Sequence, residues 1–125
     1  MQLILDTSIV IELERKNKEI VFKIEELKRR YPSAPKISFI TYFELLEGAT
    51  NKSEKNKEEA ENFIDLFEVM QTTKKTAKNL VLLRKSYELP IPDLLIAAQT
   101  LEIDGVLVTK DKDFSNIQEI RKVIL

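Results

Sequence analysis

The chain has 125 residues, 43% of them apolar, and a formal net charge of −1, which suits one compact domain with a real core and excludes a global field that would draw in a polyanion. It contains no cysteine and no histidine, so disulfides, thiolate nucleophiles, histidine–zinc sites and Ser-His-Asp catalysis are excluded. Any hydrolysis must rest on carboxylates, a lysine or metal-activated water.

No apolar run approaches membrane-spanning length, and Met1 to Glu12 is too acidic and too poor in basic residues for a secretory signal. The expectation is a single domain over residues 1–125, in the cytoplasm. The charged residues are mostly Lys and Glu, a balance that resembles thermophile proteins.

Gln2 to Leu5 reads as a short buried strand, and Thr7 or Ser8 can cap a helix over Ile9 to Glu14. Asn17 caps a second helix to Arg30, with Ile20, Val21, Ile24 and Leu27 on one face. Tyr31-Pro32-Ser33-Ala34-Pro35 ends it. A strand is expected at Ile37 to Ile40, followed by a helix capped by Thr41 that stops near Gly48. The charged segment Asn51 to Glu61 opens another helix, whose apolar side carries Phe63, Ile64, Phe67 and Val69, with a brief strand around Val69 to Gln71. Thr73 to Tyr87 reads as a helix with Ala77, Leu80, Val81 and Leu83 inward. Pro92 opens the next helix through Leu94 to Leu101. Asp104-Gly105 is a turn, Val106 to Thr109 a strand, and the segment from Asn116 to Leu125 ends in an edge strand. Strands alternating with helices predict a three-layer α/β/α sandwich on a central, mostly parallel sheet.

Four carboxylates stand where these apolar runs end: Asp6, Glu44, Asp93 and Asp111. In open α/β sheets ligands bind outside the carboxyl ends of the strands, and all four acids can point at that edge. Gathered like charges there need a compensating cation, and oxygen ligands suit Mg²⁺ or Mn²⁺. Two such ions fit an in-line displacement at phosphorus. Taken singly, each acid has a plainer use: Asp6 or Asp93 as a helix cap, Glu44 at the surface, Asp111 in a solvated turn. Asp113 competes with Asp111 for the fourth place. Asp65, Asp104 and Glu47 read as solvated.

With these residues located, the chain resembles the PIN-domain family and, within it, the VapC-type toxins of toxin–antitoxin pairs. The matching stretches are Leu5-Asp6-Thr7-Ser8, Glu44-Leu45-Leu46-Glu47-Gly48, Asp93-Leu94-Leu95-Ile96-Ala97-Ala98 and Leu107-Val108-Thr109-Lys110-Asp111-Lys112-Asp113-Phe114. The resemblance implies a metal-dependent endoribonuclease that holds Mg²⁺ or Mn²⁺ with Asp6, Glu44, Asp93 and Asp111, Ser8 and Thr109 orienting the acids or the RNA. It also implies an antitoxin partner and a homodimer. PIN proteins that process RNA without an antitoxin share the same motifs.

Lys110 and Lys112, and the cluster Lys74, Lys75, Lys78, Arg84 and Lys85, are candidates for RNA phosphates, although such runs are usually solvated faces. The tyrosines are scattered and make no stacking platform. An amphipathic partner helix could lie between the helix bearing Val21 and the one bearing Tyr42 and Leu46. Three rival readings are a phosphoacceptor receiver module, an inactive PIN-like binding subunit and a two-carboxylate glycosidase. A receiver wants paired acids after its first strand, where this chain has Thr7-Ser8. A glycosidase wants an aromatic-lined sugar site, and none is evident.

Overall fold

A three-residue strand, Leu3–Leu5 (β1), is uniformly apolar because both of its faces are covered. The computed structural model describes residues 1–125 and places β1 in the middle of a five-stranded sheet of order β3-β2-β1-β4-β5. The other strands are Lys36–Ser38 (β2), Glu68–Met70 (β3), Val106–Thr109 (β4) and Arg121–Ile124 (β5), and every pairing is parallel. Six helices connect them: Thr7–Glu14 (α1), Lys18–Arg30 (α2), Phe39–Ala49 (α3), Glu54–Ile64 (α4), Lys74–Ser86 (α5) and Ile91–Glu102 (α6).

Alternation along β1 and β4 divides the core. Leu3, Leu5, Val106 and Val108 pack with Ile9 and Val10 of α1 and Ile20 and Ile24 of α2. Ile4 and Leu107 face the other way, onto Leu83 of α5, Leu94, Ala97 and Ala98 of α6, and Phe114. The expected α/β/α sandwich is what forms. Gly105 sits where β4 approaches β1, and a Cβ there would lie 2.1 Å from Ile4 Cδ1 and 3.0 Å from the Gln2 carbonyl oxygen. Asp104 before it takes a left-handed φ of 51°, a conformation Asp tolerates. No helix is long and apolar enough to cross a membrane.

Several local expectations need correction. Asp6, not Thr7 or Ser8, is the N-cap of α1. β2 ends at Ser38, which caps α3 by accepting from the Ile40 N–H; Ile40 is therefore helical, and Thr41 is buried inside the helix. In both cases the cap is the side-chain oxygen at the residue that ends or directly follows the strand, where the first free helical N–H groups lie. α3 ends at Ala49, beside Gly48 as expected, and nothing crowds a Cβ at Gly48. On α5 the buried face is Thr76 and Leu83, while Ala77 and Val81 are exposed. Asn17 does cap α2, and Thr73 forms a capping box with Thr76 at the start of α5.

Candidate metal centre

The strand order reverses at β1: β2 and β3 lie to one side, β4 and β5 to the other. The crevice outside the carboxyl ends of β1 and β4 is thus the switch point where such sheets bind ligands. Asp6 follows β1 directly, and its N–H donates to the Val108 carbonyl of β4 at 2.9 Å. Its side chain is 6% exposed. Oδ1 accepts from the Thr7 N–H at 2.8 Å, and Oδ2 accepts from Ser8 Oγ at 3.0 Å and Thr109 Oγ1 at 2.6 Å. Capping and presentation of the carboxylate coexist. Of the roughly four lone-pair sites on an ionised carboxylate, these bonds leave about one free, on Oδ1.

The network continues on both sides. Thr109, fully buried at the end of β4, accepts from the Asp111 N–H at 2.9 Å, and Asp111 Oδ1 accepts from the Asp113 N–H at 2.9 Å. Asp111 thereby caps the 3-10 helix Lys112–Asn116 and stays half-buried, while Asp113 is exposed. On the other flank, Thr7 Oγ1 donates to Glu44 Oε1 at 2.8 Å and lies 3.1 Å from Thr41 Oγ1. This bond ties the middle of α3 to the first turn of α1. Ser8 Oγ also accepts from the Lys110 N–H at 3.2 Å, closing the loop after β4 onto α1.

Asp93 stands in the first turn of α6 with no capping hydrogen bond. Partial burial pushes its carboxyl up to about 6, and the negative charges of Asp111, Asp6, Glu44 and Asp113 add to the effect in that order. The other sequence-derived acids are therefore within electrostatic reach of Asp93, and Asp111 outweighs Asp113 there. No three acidic side chains close into a ready-made metal cage. The donor set nonetheless fits a hard cation, since every available group is an oxygen and Mg²⁺ needs only one or two carboxylates beside water and phosphate oxygens. The excess negative charge at Asp93 is what such an ion would offset.

Two residues of this neighbourhood had no signal in the sequence. Thr7 reads locally as a helix cap, and only the fold brings it to Glu44. Gln99 on α6 is buried, accepts from Ser38 Oγ at 2.5 Å and the Phe39 N–H at 3.1 Å, and donates to the Met70 carbonyl at 3.1 Å. It fastens the helix carrying Asp93 to the start of the helix carrying Glu44. The lysines expected to meet phosphate are exposed: Lys110 Nζ lies 4.0 Å from Glu12, and the α5 cluster is solvated. The groove beside α2 is walled by Phe63, Leu66 and Phe67 from α4 and its flank, rather than by Tyr42 and Leu46 of α3.

An all-parallel five-stranded sandwich of this order is the class to which comparison with known proteins also leads. Residues 3–120 match the PIN domain, and the chain belongs to that family. The fold is similar to VapBC2 from Rickettsia felis bound to a DNA fragment from its promoter, with 23% identity, a TM-score of 0.82, and 99% of this chain and 98% of that one covered. It is likewise similar to DNA-bound VapBC from Salmonella typhimurium, at 28% identity and a TM-score of 0.80 over 99% and 98% of the two chains. A toxin–antitoxin complex from Klebsiella pneumoniae matches at 25% identity and a TM-score of 0.77, over 95% of each chain. Sequence comparison with curated proteins finds no match. The VapC-like resemblance drawn from the sequence motifs thus holds at the level of the whole fold.

Proposed function

We propose that the protein is a Mg²⁺- or Mn²⁺-dependent endoribonuclease and the toxin of a toxin–antitoxin pair acting in the cytoplasm. One observation supports this reading: in a PIN-family chain, the charges of Asp111, Asp6 and Glu44, from three other segments, all act on Asp93, and no cation of the protein is among the groups that shift it. Asp6, Glu44 and Asp93 would hold the ion and Asp111 would complete the site. A bound cation there would lower the pKa of an attacking water and offset charge on the phosphate.

The chain's own contribution is orientation. Ser8, Thr109 and the Thr7 N–H fix the Asp6 carboxylate in one pose, leaving Oδ1 able to accept a further ligand. The Thr7 hydroxyl holds Glu44 toward the same crevice. Positive charge beside Asp93 would lower its raised pKa, so an occupied site and a charged Asp93 support each other. Attack by water, rather than by the ribose 2′-OH, leaves 5′-phosphate and 3′-hydroxyl ends.

The antitoxin would lie in the groove between α2 and α4, about 400 Å³, whose walls include Leu13, Val21, Ile24, Phe63 and Phe67. An amphipathic helix suits that lining. The similar structures, a toxin–antitoxin complex from Klebsiella and a DNA-bound VapBC from Salmonella, support a protein partner.

The test is hydrolysis of end-labelled RNA. Cleavage should require Mg²⁺ or Mn²⁺, stop in excess EDTA, and fall by at least about a thousandfold in Asp6→Asn with an unchanged circular dichroism spectrum. Full activity in EDTA, or in Asp6→Asn, would rule the mechanism out.

A further inference from the structure

A cavity of about 200 Å³ opens between α1 and α3 and is lined at one end by Thr7 and Glu44 and at the other by Glu14, Arg15 and Lys52. It therefore leads out of the acidic centre toward positive charge. Arg15 ends α1 with a side chain 71% exposed, held only by a 3.4 Å contact to Glu12. Lys52 follows α3 and pairs with Glu14 at 2.9 Å. Gly48 is in the wall between them, where an added Cβ would meet nothing within 4 Å. Exposed ion pairs of this kind contribute little to folding, so their partners are exchangeable at small cost.

We propose that this trough holds the single-stranded RNA backbone beside the scissile phosphate, with Arg15 and Lys52 contacting its phosphates. The inference rests on the nuclease reading and extends it to a substrate track. A strand leaving a cavity of carboxylates needs cations within a nucleotide or two, and these two lie along the cavity that begins at Glu44. A phosphate in the trough exchanges with Glu14 for Lys52, which makes Glu14 a competitor of the substrate. The trough carries Ile11, Leu45, Ala49 and Ala60 between its charged ends, whereas the groove between α2 and α4 is the more apolar of the two and is the place for a partner helix.

Binding is measured by fluorescence anisotropy with a labelled single-stranded RNA of about ten nucleotides. The full chain carries Asp93→Asn to prevent hydrolysis, and several salt concentrations are used. Arg15→Gln and Lys52→Gln should each weaken binding about fivefold and each reduce the slope of log affinity against log salt by about 0.7. Glu14→Gln should tighten binding about threefold. Gly48→Leu, which fills the trough without removing a charge, should weaken binding at unchanged slope, and Lys85→Gln on α5 should do nothing. Absence of RNA binding by the parent, or an affinity and slope that survive loss of both cations, overturns the track. Hydrolysis by the unsubstituted chain is assayed separately. Cleavage with affinity indifferent to Arg15 and Lys52 removes the track and leaves the nuclease. Cation-dependent binding without cleavage leaves the track and removes the nuclease.

Discussion

Asp93 is the residue at which the electrostatics of the crevice become measurable as stability. Its folded-state pKa, about 6, lies above the ordinary value of 3.8. Between those two values the folded chain binds a proton that the unfolded chain has lost, so this group's contribution falls as pH rises from about 4 to about 6 and is flat outside that window. With solvent screening at a half-buried position, the loss is worth about 1–2 kcal/mol. In EDTA, Asp93→Asn should accordingly be more stable than the parent by about 1–2 kcal/mol at pH 7.5 and equal to it near pH 3, measured by urea unfolding. Saturating Mg²⁺ should reverse the order at pH 7.5, because an ion that binds only the folded parent stabilises it by mass action. An equal difference at both pH values would show that Asp93 is not held among uncompensated charges. Asp6, by contrast, sits under three hydrogen bonds, and its position after a buried strand made it visible in the sequence. Thr7, whose hydroxyl holds Glu44, was invisible there because 37 residues separate the partners.

At the scale of elements, the crevice depends on two helices starting in the right places. α3 begins at Phe39 because Ser38 caps it, and Ser38 is itself bound to Gln99 of α6. The expected cap at Thr41 was one turn late, because hydroxyls at both positions satisfy the same local rule and only the end of β2 decides between them. The same blindness applies to Gln99: a lone amide in the apolar run from Leu94 to Leu101 has no local signature, yet it serves three backbone or hydroxyl groups on three elements, β2, α3 and β3. Gln99→Leu leaves the Phe39 N–H and the Met70 carbonyl buried without partners and should cost about 3 kcal/mol in urea unfolding. In a double-mutant cycle with Ser38→Ala the two changes should couple by about 1 kcal/mol or more. Additive losses would mean that Gln99 merely fills space. The strands were largely legible from their apolar runs, and parallel pairing followed from alternation with helices, whereas the strand order came only from the structure. The α5 face was misread because Thr76, buried in its capping box, displaces Ala77 from the inward position.

The whole molecule leaves apolar surface that neither its core nor its acidic crevice uses. Phe39 and Phe43 lie one turn apart on α3, at 46% and 49% exposure, and are not part of the α2–α4 groove. Adjacent half-exposed rings on one helix face form a small apolar patch that self-association would bury. A second copy of the chain is the occupant expected there, because a two-fold contact lets the same pair of rings meet itself and leaves the groove free for a different partner. Each phenylalanine so buried contributes about 1.5–3 kcal/mol, and a two-fold contact uses both rings from both copies. Phe43→Glu places like charges face to face and should weaken self-association at least about a hundredfold, converting dimer to monomer in sedimentation equilibrium while the melting curve of the monomer is retained. The crevice acids all come from one chain, so the monomer should still hydrolyse RNA at sites its single crevice can reach. A dimer that survives Phe43→Glu would place self-association elsewhere, on the exposed Val81 and Leu82 of α5.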